Sequence, residues 1–264
     1  MANSLAEERL LADDEPPPAR ALRPEGSSDF FLTADHAGRL IPRRLGTLGL
    51  PESERARHIA WDIGIAGVTE LLAGLLDAAA VLQSYSRLVI DCNRDPAVDS
   101  SIPVVSEATE IPGNQGLTPE QRDQRRREIF APYHERIAEL LDARGSARRR
   151  TILIAMHSFT PVFKGVARQV EIGILYNRDT RLAHLMLDLL RAEGDLAVGD
   201  NAPYAITDTS DYTVPVHAER RRLPHVEIEI RQDLIADAAG QAAWAKRLAR
   251  LLPAADRRLR EGGW

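Results

Sequence analysis

The chain has few of the features that mark secreted, membrane-spanning or disulfide-rich proteins. It contains one cysteine, Cys92, among 264 residues, so no disulfide can form within the chain, which fits a reducing compartment. No apolar run approaches the roughly 20 residues that a membrane-spanning helix requires. The first residues are acidic and lack the basic start and apolar centre of a signal peptide. We therefore expect a cytoplasmic protein with no membrane partner.

Excess positive charge and nucleotide-binding motifs are also missing. The formal net charge is −5, which argues against a broad face for nucleic acid. Neither a Gly-x-Gly-x-x-Gly motif nor a phosphate-binding loop is present, and the same holds for the His-Glu-x-x-His and Cys-x-x-Cys zinc signatures. Hydrophobic residues make up 44% and charged residues 28%, as in an ordinary folded protein.

The N-terminal region differs in composition from the rest of the chain. Three consecutive prolines at 16–18 favour an extended segment, and acidic residues lie on both sides of them. We predict a flexible N-terminal arm over residues 1–27 and one domain over residues 28–264. A single α/β domain can reach this length without dividing.

Short apolar runs alternate with longer amphipathic segments through the predicted domain. The runs predict buried strands over residues 30–33, 79–83, 88–91, 151–156, 172–175 and 226–230. Helical spacing predicts helices over residues 67–76, 180–193 and 238–252. Another helix begins with the capping box of Thr118 and Gln121 and is expected to reach about Asp142, with a break at Pro132. The alternation predicts an α/β fold, a mixed and mostly parallel sheet flanked by helices.

Histidines and carboxylates lie beside the predicted elements at three places. Asp35 and His36 follow one predicted strand, His157 follows another, and His58 and Asp62 precede a predicted helix. Imidazole and carboxylate are the usual ligands of a catalytic zinc ion. A single histidine more often packs or forms a hydrogen bond than binds a metal. The position of two histidines just past strand ends nevertheless favours a metal site.

Asn93 and Arg94 follow the predicted strand that starts at residue 88. Arginine is suited to bidentate recognition of a carboxylate, and asparagine adds a directional donor. An alternative is a structural role for Arg94, paired with Asp91 or Asp95. The residue types alone do not distinguish the two.

Glu227, Glu229 and Arg231 alternate along the last predicted strand, so they share one of its faces. A carboxylate beside a bound metal can act as general base and then as general acid. In the absence of a metal site, the same pattern indicates an amphipathic strand with cross-strand ion pairs.

Taken together and in this order, these clusters resemble the N-formylglutamate amidohydrolase family over about residues 30–235. The most specific segments are 86–96, 157–161 and 228–234, and supporting matches lie at 35–38, 111–114, 132–134 and 201–204. The family is similar in fold to the zinc carboxypeptidases. The resemblance therefore implies a zinc carboxypeptidase-like, or phosphorylase/hydrolase-like, sandwich.

The resemblance also implies a metal site for one zinc ion per chain. Two histidines and one carboxylate hold this zinc, and the roles fall most naturally on His36, Asp62 and His157. Asp35 and His58 remain alternatives for the second ligand. Asp35 could instead support a ligand from behind.

Catalytic and substrate-binding roles follow from the same resemblance. It implies Glu229 as the base and the pair Asn93 and Arg94 as the clamp for a substrate carboxylate, with Arg87 or Arg231 as a second contact. The expected reaction is hydrolysis of a small acidic N-acyl amino acid, above all N-formyl-L-glutamate, to formate and L-glutamate.

Two other functions remain open. One is a peptidase or deacylase for another small substrate, and the other is a metal-free protein that binds acidic metabolites. The chain departs from the family pattern at residues 168–170, Arg-Gln-Val, where that pattern has Arg-Pro-aromatic. This segment is expected to lie near the acyl pocket.

Overall fold

A seven-stranded sheet forms the centre of the protein in the computed structural model, which describes residues 9–263. In chain order the strands are β1 Ala19–Leu22, β2 Phe30–Ala34, β3 Ala79–Gln83, β4 Val105–Ser106, β5 Thr109–Glu110, β6 Ile152–Phe159, β7 Val162–Phe163, β8 Val166–Ala167, β9 Ile172–Leu175, β10 Val198–Asp200 and β11 His225–Arg231. The central sheet has the order β1-β3-β2-β6-β11-β9-β10. The remaining strands form two small hairpins, β4-β5 and β7-β8.

Most neighbours in the central sheet run in the same direction. The pairs β2-β3, β2-β6, β6-β11 and β9-β10 are parallel, while β1-β3 and β9-β11 are antiparallel. This confirms the predicted mixed, mostly parallel sheet. The predicted strands at 30–33, 79–83, 151–156, 172–175 and 226–230 all belong to it.

Helices cover both faces of the sheet. The α-helices of the described residues are α1 Glu52–Arg55, α2 Ile65–Leu76, α3 Pro119–Arg125, α4 Ala131–Ser146, α5 Arg181–Glu193 and α6 Ala238–Glu261, and α1 buries no side chain. Apolar side chains of α2, α5 and α6 pack on one face, where Leu32, Ile154 and Ile228 point. Side chains of α4 pack on the other face, where Phe31 and Leu153 point. The alternation of side chains along each strand thus creates two cores. No helix of residues 9–263 is long and apolar enough to cross a membrane.

The helix predicted after residue 117 is present but is not uniform. Thr118 and Gln121 form the capping box that the sequence predicts. A turn of π-helix, Arg126–Phe130, joins α3 to α4 directly before Pro132. Because proline lacks a backbone N–H group, it cannot complete the regular helical hydrogen bonds. The π-helical turn is therefore the irregularity that the sequence predicted at Pro132. The helix ends at Ser146, four residues past the predicted end at about Asp142.

The N-terminal segment differs from the prediction of a flexible arm over residues 1–27. Leu10 and Leu11 are buried, and their backbone N–H groups donate to the carboxylate of Glu128 at 2.8 and 3.0 Å. Strand β1 extends the sheet by pairing with β3. The prolines thus lead into an edge strand, and apolar anchors fix the segment from residue 9 onward. Residues 1–8 of the predicted arm lie outside the described residues.

The predicted strand at 88–91 is wrong, because this segment forms turns. Leu88, Val89 and Ile90 are buried in the second core, so their apolar character reflects burial and not strand pairing. The carbonyl of Val89 accepts a hydrogen bond from buried Arg125 at 2.9 Å. Asn93 and Arg94 are therefore delivered by a buried loop.

Candidate metal centre and active site

His36, Asp62 and His157 meet at the carboxyl edge of the parallel strands. His36 follows β2, Asp62 precedes α2, and His157 lies near the end of β6. All three are buried, and one ligand atom from each lies within 4.8 Å of the others. Asp62 Oδ2 is 3.5 Å from His36 Nδ1 and 3.1 Å from His157 Nδ1. Tetrahedral zinc ligands at about 2.1 Å from the ion lie roughly 3.4 Å apart, so these separations suit a zinc ion.

Two glycines allow the chain to make this cluster. At Gly38 a Cβ atom would lie 2.0 Å from the carbonyl oxygen of Ser84, so only glycine lets the loop after β2 pack there. Gly64 has a φ of +83°, and a Cβ atom there would lie 2.1 Å from the carbonyl oxygen of Ile235. These glycines follow His36 and Asp62 by two residues each, and they fix the two loops that carry the side chains.

A second carboxylate stands behind each histidine. His36 Nε2 lies 2.7 Å from Asp91 Oδ1, and His157 Nε2 lies 3.2 Å from Asp35 Oδ2. Tyr133 donates its hydroxyl to Asp35 Oδ1 at 2.7 Å, which fixes that carboxylate in turn. Metal-binding histidines commonly donate their other ring nitrogen to a carboxylate, which sets the tautomer and the ring orientation. Both rings here therefore present Nδ1 to the centre of the cluster.

The charges of the cluster favour a cation at its centre. Burial alone would lower the pKa of His157, but the negative charges of Glu227 and Asp35 outweigh it and raise that pKa well above its usual value. His36 Nδ1 is buried and has no hydrogen-bond partner among the described residues. An unpaired buried nitrogen in a negative environment is satisfied by a proton or by a metal ion. The residues present thus fit a divalent metal such as zinc.

The two other candidate ligands named from the sequence lie outside the cluster. Asp35 contacts the Nε2 side of His157 and the hydroxyl groups of Tyr133 and Thr213, so it supports the histidine from behind. His58 lines the same cavity, but its Nε2 lies 3.4 Å from a carboxylate oxygen of Glu107.

Glu227 and Glu229 point from β11 into the same cavity. Glu229 is the register partner of His157 on β6, while Glu227 pairs with Ala155 one step deeper. Burial raises the pKa of Glu229 to about 7, although the positive charge of His157 opposes the shift. Burial also raises the pKa of Glu227 well above its usual value. Glu227 Oε2 lies 3.9 Å from His157 Nε2, the ring nitrogen turned away from Asp62.

A cavity of about 340 Å³ joins these groups to solvent, and both Arg87 and Arg94 line it. Arg87 binds Asp91 Oδ2 through Nε at 3.1 Å and Nη2 at 2.6 Å, and its Nη1 lies 3.6 Å from Asp62. Arg94 forms no ion pair within the described residues, and its Nη1 donates to the backbone oxygen of Asn93. Arg94 is therefore the cationic side chain with free hydrogen-bonding capacity.

Asn93 lines the cavity, but its side chain is already engaged. Its Nδ2 donates to Asp211 Oδ1 at 2.9 Å, and its Oδ1 accepts from the backbone N–H groups of Tyr212 and Thr213, both at 3.0 Å. The amide thus holds the loop at 211–213 in place. The second hydrogen of Nδ2 has no acceptor within the described residues, so Asn93 keeps one donor for a ligand.

Arg231 does not join the other predicted site residues. Its guanidinium binds Asp233 at 2.8 Å and lies 3.6 Å from Glu171, and it is not part of the cavity wall. Alternation along β11 predicted the face of the strand correctly. At the end of the strand, however, the long side chain reaches nearby surface carboxylates.

Several cavity residues were not singled out from the sequence. The sequence indicates Asp91 only as a partner for Arg94, and Tyr204 only as part of a family-like segment. Tyr133, which supports Asp35 from outside the cavity wall, also lies in such a segment. Phe159 lies in the family-like segment 157–161, whereas Phe163 has no distinguishing signal, because aromatic residues near strand ends are common in cores. A tyrosine next to a proline at the end of a polar loop, as in residues 201–204, is the clearest signal that was available.

The sheet and the buried cluster together define an α/β protein with a candidate metal centre at a strand edge. The family model for N-formylglutamate amidohydrolase matches residues 28–236. The chain therefore belongs to the N-formylglutamate amidohydrolase family, an amidohydrolase family.

Two solved structures share the fold over nearly the whole chain. The gene product Atu2144 from Agrobacterium tumefaciens is 40% identical, with a TM-score of 0.92 over 96% of this chain and 100% of that one. The N-formylglutamate amidohydrolase from Ralstonia eutropha JMP134 is 18% identical, with a TM-score of 0.69 over 94% of this chain and 100% of that one. No curated protein sequence matches the chain.

Proposed function

We propose that this protein is a zinc-dependent amidohydrolase that converts N-formyl-L-glutamate into formate and L-glutamate. One zinc ion per chain would be held by His36, Asp62 and His157. The observation that supports this most directly is the buried cluster of these three residues beside Glu229, in a member of the N-formylglutamate amidohydrolase family. When bound, zinc would polarise the acyl carbonyl group and lower the pKa of a water molecule.

Glu229 is the proposed general base and general acid. Its carboxylate accepts a proton from the attacking water, whose oxygen adds to the acyl carbon, and it then donates that proton to the departing amine nitrogen. The C–N bond breaks, which gives one carboxylic acid and one free amino acid. A pKa of about 7 suits a group that must both accept and donate a proton near neutrality.

Position favours Glu229 over Glu227 in this role. Glu229 interacts electrostatically with Asp62, His36 and Arg87, which supports a role on the cluster side of the cavity. Glu227 lies near the Nε2 side of His157, the side away from Asp62.

Arg94 is the proposed contact for one substrate carboxylate. It lines the cavity, and it has no ion pair to break before it binds an anion. Arg87 is held beside Asp62 by Asp91, so it would contact the reacting acyl oxygen more readily than a distant carboxylate. Asn93 holds the loop at 211–213 through three hydrogen bonds, and its second Nδ2 hydrogen is a further donor for the carboxylate bound by Arg94.

Metal content and formate release test this proposal together. The protein is purified without chelator, its bound metal is measured, and formate is quantified with N-formyl-L-glutamate as substrate. N-acetyl-L-glutamate and a glutamate-containing dipeptide serve as alternative substrates. We expect about one zinc ion per chain and turnover of the formyl compound that stops after chelation and returns with zinc. Preferred cleavage of an alternative substrate would identify the protein as another deacylase or a peptidase. A protein that holds no zinc and hydrolyses none of these substrates would contradict the proposal that it is an amidohydrolase.

A further inference from the structure

A substrate with two carboxylates needs a second group that recognises an anion, and the cavity offers few. Arg87 already makes two hydrogen bonds to Asp91, and Arg231 lies outside the cavity. Arg94 can bind only one of the two carboxylates. Another wall of the cavity offers a group that can recognise the second carboxylate.

That wall is aromatic and is backed by an arginine. Phe159, Phe163 and Tyr204 line the cavity. The Cζ atom of Arg168 lies 4.6 Å from the ring centre of Tyr204, 4.7 Å from that of Phe163 and 5.6 Å from that of Phe159. Arg168 forms no ion pair within the described residues. A positive charge without a carboxylate partner thus stands directly behind the wall.

The hydroxyl group of Tyr204 connects this charge with the cavity. Arg168 Nη1 donates to the Tyr204 oxygen at 2.7 Å, so the phenolic hydrogen remains available as a donor. That hydrogen has no acceptor within the described residues. Burial and the nearby charge of Glu229 raise the pKa of Tyr204, which keeps the hydroxyl protonated at neutral pH. Tyr204 is 41% exposed, as befits a residue that an entering molecule can reach.

We propose that the Tyr204 hydroxyl, held and polarised by Arg168, binds the second carboxylate of a dicarboxylic N-acyl amino acid while Arg94 binds the first. Tyr204 is then a specificity residue, and Arg168 is a positioning residue that acts through it. This inference rests on the proposed function for the identity of the reaction. The recognition of a dicarboxylate can nevertheless be measured without any turnover.

Kinetics with two matched substrates test the role of Tyr204. N-formyl-L-glutamine has nearly the same shape as N-formyl-L-glutamate but lacks the second charge. We expect Tyr204→Phe to lower kcat/KM for the glutamate compound about ten- to a hundredfold, mostly through KM, and to change the glutamine compound less than about threefold. An equal loss for both substrates, or no loss for either, would overturn the proposal.

Arg168 is tested by substitution and partial rescue. Arg168→Met should reduce the preference for the glutamate compound, and Arg168→Lys should restore part of it, because lysine keeps the charge but loses the planar fork. Tyr176→Phe is the matched control for Tyr204→Phe, since the Tyr176 hydroxyl donates to Asp200 outside the cavity wall. Unchanged preference in Arg168→Met would remove Arg168 from the proposal.

Binding of glutarate and butyrate separates this inference from the proposed function. Glutarate carries two carboxylates at the spacing found in glutamate, and butyrate carries one. The zinc-loaded protein should bind glutarate more tightly than butyrate, and Tyr204→Phe should remove the difference. If no acyl substrate is hydrolysed but this preference depends on Tyr204, dicarboxylate recognition stands and the proposed reaction falls. If N-formyl-L-glutamate is hydrolysed but glutarate is not preferred, the proposed reaction stands and the role of Tyr204 falls. If neither hydrolysis nor the preference is observed, the proposed reaction and the role of Tyr204 are both overturned.

Discussion

The two sides of the cavity are built in different ways. On the cluster side, the side chains of His36, Asp62 and His157 are only 3–4% exposed, and buried partners hold each of them. Elsewhere on the cavity wall, Arg94 and Tyr204 come from loops and keep unused hydrogen-bonding capacity. One side is thus fixed before any ligand arrives, whereas the other can adjust to it. Groups fixed in advance need no reorganisation during the chemical step.

The largest expected effect on the fixed side of the cavity is loss of the bound metal. His36→Ala or His157→Ala removes one of three proposed ligands from a site that is otherwise fixed. We expect each variant to fold but to retain no zinc after dialysis, as measured by elemental analysis beside circular dichroism. Zinc content equal to that of the unmodified protein would exclude the substituted residue as a ligand. His184→Ala, on the exposed side of α5, is the control.

The next effect concerns the chemical step on the fixed side. Glu229→Gln keeps the shape of the side chain but cannot accept a proton. Turnover of N-formyl-L-glutamate should fall by roughly two to four orders of magnitude at matched zinc content. Glu227→Gln is the paired control and should cost much less. If Glu227→Gln is the inactive variant, the base has been placed one pair too far along β11.

A smaller effect should follow from loosening one histidine without removing it. Asp91→Asn keeps a hydrogen-bond partner for His36 but removes the negative charge that the His36 ring and Arg87 share. We expect zinc affinity to fall about ten- to a hundredfold, as is usual for groups that support metal ligands. Competition with a chromogenic chelator measures this affinity. Asp95→Asn provides a control on the same loop, and an equal effect of both substitutions would contradict the assignment.

An effect of the same size, on KM and not on zinc affinity, is expected on the adjustable side. Arg94→Ala should raise KM for N-formyl-L-glutamate about ten- to a hundredfold through the loss of a charge-assisted contact. Zinc content should stay unchanged, and Arg94→Lys should recover part of the loss. Steady-state kinetics at matched metal content provide the measurement.

The neighbouring residue sharpens this last test. Asn93→Ala removes three hydrogen bonds that hold the loop at 211–213, so it should lower the melting temperature. Arg94→Ala should leave the melting temperature nearly unchanged. If Arg94→Ala instead destabilises the fold without affecting KM, Arg94 has a structural role.

The sequence predicted the fixed side of the cavity better than the adjustable side. His36 follows the buried strand β2, and His157, predicted just past a strand, lies near the end of β6, which reaches Phe159. The apolar runs of both strands are easy to recognise, and the edge of a parallel sheet brings such positions together. Alternation along β11 predicted that Glu227 and Glu229 share a face, since strand geometry determines which residues do so. The choice of Glu229 as the base came from the family resemblance. These inferences depend on regular backbone, which short-range patterns describe well.

The errors share a physical cause. At 88–91 an apolar run forms buried turns, because burial selects the same residue types whatever the backbone does. The backbone of Leu10 and Leu11 is held by hydrogen bonds to Glu128, which is more than a hundred residues away in the sequence. Arg231 shows that a long side chain at the end of a strand follows its nearest carboxylates. Contacts between distant segments leave no mark on local sequence patterns.

The position of β11 has a consequence for synthesis on the ribosome. This strand is the last of the sheet to emerge, yet it lies inside the sheet between β6 and β9. Until residue 231 has left the exit tunnel, those two strands have no partner for the edges that face each other, and unpaired edges promote aggregation. The strand that closes this gap also carries Glu229. A nascent chain therefore acquires the proposed base only when the sheet becomes complete.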